Sequence, residues 1–334
     1  MPKKSVLIVG AGGFIGGFIA AESLRRGFDT WCAVRESTSR RYLADPALRF
    51  VTLDYDDPDR LREQLRGHRW DYVVYNLGAT KCVNFLDFNR INFGYLRDFV
   101  EAYRAECGDP DKFIYMSSLS AIGPGDEKDY TPLSPRMVPQ PDTRYGVSKI
   151  KAETFLEFNT GGDFPWIILR PTGVYGPHEQ DYLMMIKSID SHFDFSVGFR
   201  RQMLTFIYVE DLARAIFDAI AAAPVRHKYI LSEPRAYTQA EFRSIVAREL
   251  GRRFVIPVKL PLWAVRIACT VAGKWGAAKM RPTTLNPDKY RIMAQRNWSC
   301  DISDAVRDFG FAPRISLTEG IRRTVRAYRD GSGK

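Results

Sequence analysis

The most constraining stretch of this chain is short. Four apolar residues, Val6-Leu-Ile-Val9, run directly into Gly10-Ala-Gly-Gly13-Phe-Ile-Gly16, after which Ile15, Phe18, Ile19 and Leu24 recur at helical spacing up to Gly27. A buried strand that turns through glycines into a helix leaves bare backbone N–H groups at the helix N-terminus, where a phosphate group is favourably held. The spacing is G-x-x-G-x-x-G with Gly12 in addition, and such turns also arise for packing alone, so partners elsewhere in the chain must decide.

The pattern repeats. β-branched runs at 30–34, 50–53, 72–75, 112–116 and 166–169 alternate with helical segments, among them one over 92–104 and one that starts near Tyr145. That alternation predicts an α/β fold, a doubly wound parallel Rossmann sheet. After Pro171 glycines, prolines and isolated aromatics accumulate, then 206–209 returns as a strand and 212–222 as a helix. The predicted organisation is a dinucleotide-binding domain over 1–176 and 206–235, with a smaller, discontinuous α/β substrate-binding lobe over 177–205 and 236–334. A length of 334 residues suits two such units, and no repeat or low-complexity tract interrupts them.

Composition narrows the function. The net charge of +10 suggests an anionic ligand but is spread too thinly to indicate nucleic acid, and about half of the excess lies in 281–334, with 11 Lys/Arg against 6 Asp/Glu. Five cysteines form no C-x-x-C pair and only four histidines are present, too few at workable spacing for a zinc site. Reduced thiols and the absence of a signal-peptide apolar region predict a cytoplasmic protein. The stretch 260–278 is broken by Arg266 and Lys274, and its longest uncharged run falls well short of the roughly 20 residues needed to span a bilayer. It reads as a packed helix of a soluble lobe, with a membrane-touching lid as the less frequent alternative.

Chemistry enters with Tyr145-Gly-Val-Ser-Lys149, which puts a phenol and an ammonium on one helix face. The cation there favours phenolate and makes Tyr145 a usable acid/base. Ser117, Ser118 and Ser120 follow the fifth strand, at the carboxyl edge where ligands bind in such sheets. A hydroxyl at that edge can stabilise a substrate oxygen as its charge changes.

Together these elements resemble the extended branch of the short-chain dehydrogenase/reductase superfamily, the NAD(P)-dependent epimerase/dehydratase family, over nearly the whole chain. Further matches are Asn76-Leu-Gly-Ala79, Asn92, Leu169-Arg-Pro-Thr-Gly-Val-Tyr-Gly-Pro177, Phe206-Ile-Tyr-Val-Glu-Asp-Leu-Ala213, Trp298-Ser-Cys-Asp301 and Phe309-Gly-Phe-Ala-Pro313. The resemblance implies that Tyr145 is the general acid/base, that Lys149 lowers its pKa and holds the nicotinamide ribose, and that Ser118 polarises the reacting oxygen. Asn92 is either a proton-relay residue or a helix N-terminal hydrogen-bonding residue. Gly10, Gly13, Phe14, Ile15 and Gly16 correspond to the dinucleotide turn, Asp54 to the residue that reaches the adenine amine, and Leu77, Gly78, Ala79, Pro171, Thr172 and Val174 to cofactor-bordering positions. Thr80, Lys81, Ser120, His178 and Arg201 are candidate substrate contacts, and a homodimer through the helices near Asn92 and Tyr145 is expected.

The second strand ends Ala33-Val34-Arg35, without the carboxylate that contacts the ribose in NAD-preferring relatives. Arg35, with Arg40 and Arg41 near it, can pair a 2′-phosphate, which puts NADP(H) ahead of NAD(H). In the other reading Arg35 stacks on adenine and Glu36 contacts the ribose. Leu119 and Ser120 stand where dehydratases of the family carry Asp-Glu, which disfavours sugar dehydration. Leu204 and Thr205 stand where nucleotide-sugar enzymes carry an Arg. What remains is hydride transfer to or from a carbonyl or secondary alcohol of a small molecule, with nucleotide-sugar epimerisation as the alternative. Phe193, Phe195, Phe199, Leu260, Leu262, Trp263 and Trp275 are expected to form the core of the small lobe or, less often, an apolar pocket like that of the dihydroflavonol-reductase and 3-beta-hydroxysteroid-dehydrogenase groups.

Overall fold

A computed structural model describes residues 3–281 and 283–331. The first strand, β1 (Ser5–Val9), is almost wholly buried and is followed by a turn that only glycine permits. Gly10 adopts φ +83°, and a Cβ there would lie 2.8 Å from the backbone N of Leu77. One turn on, a Cβ at Gly16 would lie 2.3 Å from the Gly10 carbonyl oxygen, so the start of α1 (Phe14–Arg25) sits directly on the turn.

The chain then lays down β2 (Asp29–Val34), β3 (Arg49–Thr52), α2 (Pro58–Leu65) and β4 (Tyr72–Tyr75). Next come α3 (Phe85–Asn89), α4 (Tyr95–Cys107), β5 (Lys112–Met116), α5 (Arg144–Phe158) and β6 (Trp166–Pro171). Shorter pieces follow: β7 (Gly173–Tyr175), α6 (Gln180–Asp190), β8 (Phe193–Val197), β9 (Met203–Leu204) and β10 (Phe206–Tyr208). The helix α7 (Val209–Ala222) leads into β11 (His227–Leu231), a strand the sequence reading missed. The remainder comprises β12 (Tyr237–Thr238), α8 (Gln239–Leu250), β13 (Ile256–Leu260), α9 (Leu262–Ala278), α10 (Pro287–Ala294), α11 (Ser303–Phe309) and α12 (Leu317–Arg329).

Seven strands form one parallel sheet in the order β11-β6-β5-β4-β1-β2-β3. The winding reverses between β1 and β4, and the cleft outside their carboxyl ends is where ligands bind in open sheets of this kind. One face is covered by α1 and α7 through a core that includes Ile8, Ile19, Val74, Ile114, Leu212 and Ile216. The other is covered by α2, α4 and α5 around Leu7, Val73, Phe99, Phe113, Leu156 and Ile168. A separate core, with Tyr175, Ile186, Phe206, Phe242, Val246 and Ile321, holds the smaller elements, whose strands pair only in twos.

Two expectations are corrected. Asn92 does not open a helix: it lies in the middle of a π-helical turn, Arg90–Gly94, between α3 and α4. Phe193, Phe195, Phe199, Trp263 and Trp275 do not form the small lobe's core: α9 turns Val265, Cys269 and Gly276 inward and leaves its two tryptophans on the surface, and the three phenylalanines are exposed as well.

The polar tie between the sheet and α5 is a fully buried ion pair. Arg170 on β6 donates from Nη2 and Nε to Glu153 on α5, at 2.5 and 3.0 Å, and Ser117 Oγ donates to Glu153 Oε1 at 2.5 Å. Removing one partner from a buried pair strands the other charge, which costs about 3–5 kcal/mol. Arg170→Leu should therefore lower unfolding free energy by about that amount in urea titration, and Arg170→Leu with Glu153→Leu should recover part of the loss.

Candidate active site

The residues that could do chemistry meet where α5 crosses the carboxyl ends of β4 and β5. Thr143 caps α5, its Oγ1 accepting from the Gly146 N–H at 3.0 Å, and a Cβ on Gly146 would lie 2.3 Å from the Ser120 carbonyl oxygen. That glycine lets the first turn of α5 press against the 3₁₀ turn Leu119–Ala121, and Ser118 is the cap of that turn. Ser118 is thus brought beside Tyr145, where its hydroxyl bears on the phenol. Burial pushes the Tyr145 phenol up to about 12, the Ser118 contact opposing it.

Lys149 lies one turn further along α5 and is buried. Its Nζ donates to the Met116 carbonyl oxygen at 2.8 Å, lies 5.9 Å from the Tyr145 ring centroid and is 5.0 Å from that of Tyr115. Burial pulls this ammonium down to about 8, while Glu153, one turn beyond, pulls it upward. Burial prevails over any lowering of the Tyr145 pKa by Lys149, so the phenol rests above its ordinary value with the ammonium 5.9 Å from its ring centroid. Tyr145 is neutral and Lys149 largely charged at pH 7.

Asn92 is also buried and fully engaged. It accepts from the Ala79 N–H at 2.7 Å and donates to the Ala79 carbonyl at 3.0 Å and to Ser148 Oγ at 2.9 Å. This clamp fixes the loop after β4 against α5. Between them Gly78 permits a close approach: a Cβ there would lie 3.0 Å from Asn92 Oδ1 and 3.1 Å from Lys149 Nζ. The buried ammonium and the bare glycine backbone after β1 and β4 are donors of the kind that suit a ribose and a phosphate. The residues Gly10, Gly13, Phe14, Ile15, Gly16, Leu77, Gly78 and Ala79 all belong to this one cleft edge.

Other candidates are placed around it. Pro171 ends β6, Thr172 pairs its hydroxyl with that of Thr205 at 2.7 Å, and Val174 packs against the sheet core. Asp54 lies two residues beyond β3 with its carboxylate 3.4 Å from Arg60, and Arg35, directly after β2, is exposed. Glu36 lies 3.8 Å from the same Arg60, and Arg40 stacks at 4.2 Å on Phe50. Ser120 donates its backbone N–H to Ser118 Oγ at 3.2 Å.

Three substrate candidates have contacts of their own. Lys81, next to the exposed Thr80, is engaged by Asp181 at 2.6 Å, and Lys289 pairs the other carboxylate oxygen at 3.0 Å. His178, with φ +78°, has its ring centroid 4.5 Å from that of Tyr42, which in turn packs over Gly17. It therefore borders the glycine turn. Arg201 is exposed, its carbonyl accepting from the Tyr130 hydroxyl at 2.7 Å. Cys82, beside Lys81, has its thiol pushed up to about 11 by burial.

The sequence reading missed Glu153 and Asp288. The signal for Glu153 was present, since Tyr145, Lys149 and Glu153 recur at i, i+4 and i+8. Asp288, which accepts from the Tyr145 N–H at 3.3 Å, left no such trace, being 143 residues away in sequence.

Comparison with known proteins gives this cleft a context. The chain is 26% identical over 326 residues to a ceramide reductase of Caulobacter vibrioides, covering 97% of this chain and 94% of that one. It is 24% identical over 288 residues to short-chain dehydrogenase/reductase family 42E member 1 of Danio rerio, covering 78% and 71%. The fold matches that of a UDP-glucose 4-epimerase from Thermotoga maritima with a TM-score of 0.78 at 19% identity, covering 98% of this chain and 99% of that one. Residues 6–231 match the family model, and the chain belongs to the NAD dependent epimerase/dehydratase family.

Proposed function

We propose that this enzyme is an NADP(H)-linked reductase that acts on a carbonyl of a moderately apolar small molecule, with Tyr145 as proton donor and Ser118 as partner of the reacting oxygen. The observation that carries the reading is the contact between Ser118 and a neutral Tyr145 above the buried cation of Lys149. When bound, a nicotinamide dinucleotide supplies or accepts the hydride; the protein's part is to orient and to move a proton. Tyr145 starts as the acid, the form that reduction requires. Lys149 stabilises the phenolate left behind, and Glu153 keeps Lys149 charged in a buried site. Asn92 and Ser148 act as positioning residues for the Ala79 loop and for α5.

The glycine turn, Gly78 and Lys149 would hold the dinucleotide, with Asp54 toward its adenine and Pro171, Thr172 and Val174 along its nicotinamide end. Arg35 supports the preference for a 2′-phosphate, since it is exposed while Val34 before it is buried and carries no charge. The ceramide reductase relative supports an apolar substrate, and Leu119, buried with Ile122, Leu133 and Ile230, argues against a dehydratase acid at that position. Epimerisation of a nucleotide sugar with NAD is the second reading, favoured by the likeness to the UDP-glucose 4-epimerase fold. Mass spectrometry of the freshly purified, denatured protein separates the two. Exchangeable or absent dinucleotide with tighter NADPH than NADH binding supports the reductase, and stoichiometric, non-exchanging NAD⁺ overturns it.

Tyr145→Phe should lower kcat by about 10²–10⁴-fold in a carbonyl-reduction assay and leave the Kd for NADPH nearly unchanged by fluorescence titration. Arg35→Gln should weaken NADPH by about ten- to one-hundred-fold, as expected for loss of a hydrogen bond to a charged group, with NADH little affected. Because the buried ammonium of Lys149 sits at about 8, the reduction rate should fall as pH rises through that value, where the cation that stabilises the phenolate is lost. A pH–rate profile that stays flat to pH 9.5 or above (about 1.5 pH units beyond it) would remove Lys149 from that role.

A further inference from the structure

The small lobe carries an apolar surface that packs against nothing in the described structure. On α9, Trp263, Ile267, Val271 and Trp275 follow one another at i+4 and are 57–69% exposed. At 1.5 Å per residue this stripe is about 18 Å long. Leu262 and Phe199 extend it at the N-terminal end, where the Gly198 N–H donates to the Leu260 carbonyl at 2.8 Å and a Cβ on Gly198 would lie 3.6 Å from Leu262. The adjoining two-stranded sheet adds Phe193 and Phe195, stacked at 6.1 Å, and Ile256 in register with Phe193. A contiguous patch of this kind is not left on a surface without use.

Charge identifies what covers it. From Arg252 to Pro287 the chain contains seven Lys/Arg and not one Asp/Glu. Arg266 and Lys274 form a row beside the stripe, each one residue before a stripe residue, and Lys279 continues it, with Nζ 4.0 Å over the ring of Trp275. Tryptophans along an exposed helix edged by cations that can reach outward are the chemistry of a bilayer interface rich in anionic headgroups. No helix among the described residues is long and apolar enough to cross a membrane, so the surface lies on a bilayer rather than in it.

We propose that α9 and the outer face of β8 and β13 dock this enzyme on an anionic lipid bilayer. The surface stands close to the cleft. A Cβ on Gly273 would lie 2.9 Å from Pro287, so α9 rests directly on α10, and Asp288 of α10 accepts from the Tyr145 N–H. Docking goes beyond the proposed reaction and does not depend on it, since it is read without turnover.

The test is co-sedimentation of the full chain with extruded vesicles of phosphatidylcholine alone and of phosphatidylcholine with phosphatidylglycerol, at low and high salt. Binding to the phosphatidylglycerol vesicles is expected, weakened by salt, with a blue shift of tryptophan emission. Trp263→Ser with Trp275→Ser should abolish the binding, and Arg266→Gln with Lys274→Gln should weaken it by about thirty-fold, from about one kcal/mol per cation. Thermal midpoint and NADPH binding report that each variant is folded. Failure of the wild-type chain to bind, equal binding by the tryptophan variant, or a dimer that this variant dissociates in the absence of lipid would each overturn the proposal, the last by assigning the face to a second copy.

Discussion

The carboxylate of Glu153, buried without access to water, sets the terms for everything around it. A charge in that position is tolerable only with a paired cation and saturated hydrogen bonding, which Arg170 and Ser117 supply from the ends of β6 and β5. The two strands and the helix are thereby fixed in one register. Glu153 also lies one turn from Lys149, so the same carboxylate that anchors α5 offsets the cost of burying the ammonium. Spacing of four residues gives one face of α5 three successive tasks: proton donation at Tyr145, charge support at Lys149 and anchorage at Glu153. Geometry at the first depends on rigidity at the last, because a helix held at its middle by a buried pair cannot roll without stranding a charge.

A second constraint fixes the opposite wall. The loop after β4 has to come within contact of both the glycine turn and α5, and backbone alone does this at Gly10 and Gly78. Asn92 completes the arrangement by hydrogen-bonding both backbone groups of Ala79. A regular α-helix would carry its residues past at fixed angular steps. The π-helical turn over Arg90–Gly94 departs from those steps at the residue that has to reach the loop.

This division explains what could be read from the amino acids. Local order was legible: strand periodicity gave six strands of the sheet, the glycine spacing gave the first turn, and Tyr145 with Lys149 gave the helix face. What depended on distant partners was not. Nothing around 227–231 distinguishes an edge strand until β6 is there to pair with it, and nothing near Asn92 in sequence announces a π turn. Lys81 looked available to substrate because Asp181, the carboxylate it shares with Lys289, lies 100 residues away. Hydrophobicity alone points Phe193, Phe195, Phe199, Trp263 and Trp275 inward, a rule that holds on average and fails where a surface has another purpose.

The small lobe is joined to the sheet in a manner that suits such a surface. Its core of Tyr175, Phe206, Phe242 and Ile321 is separate from the two cores of the sheet, so the lobe is internally packed in its own right. Across the cleft the ties on the side of α10 are polar: Lys81 and Lys289 on Asp181, and Asp288 on the Tyr145 N–H. Polar ties keep direction while costing little to loosen, whereas a shared apolar core would resist any change in angle. The stripe on α9 therefore sits on an element whose other side ends at the backbone of Tyr145. Whatever the outer face rests on is one helix removed from the residue that handles the proton.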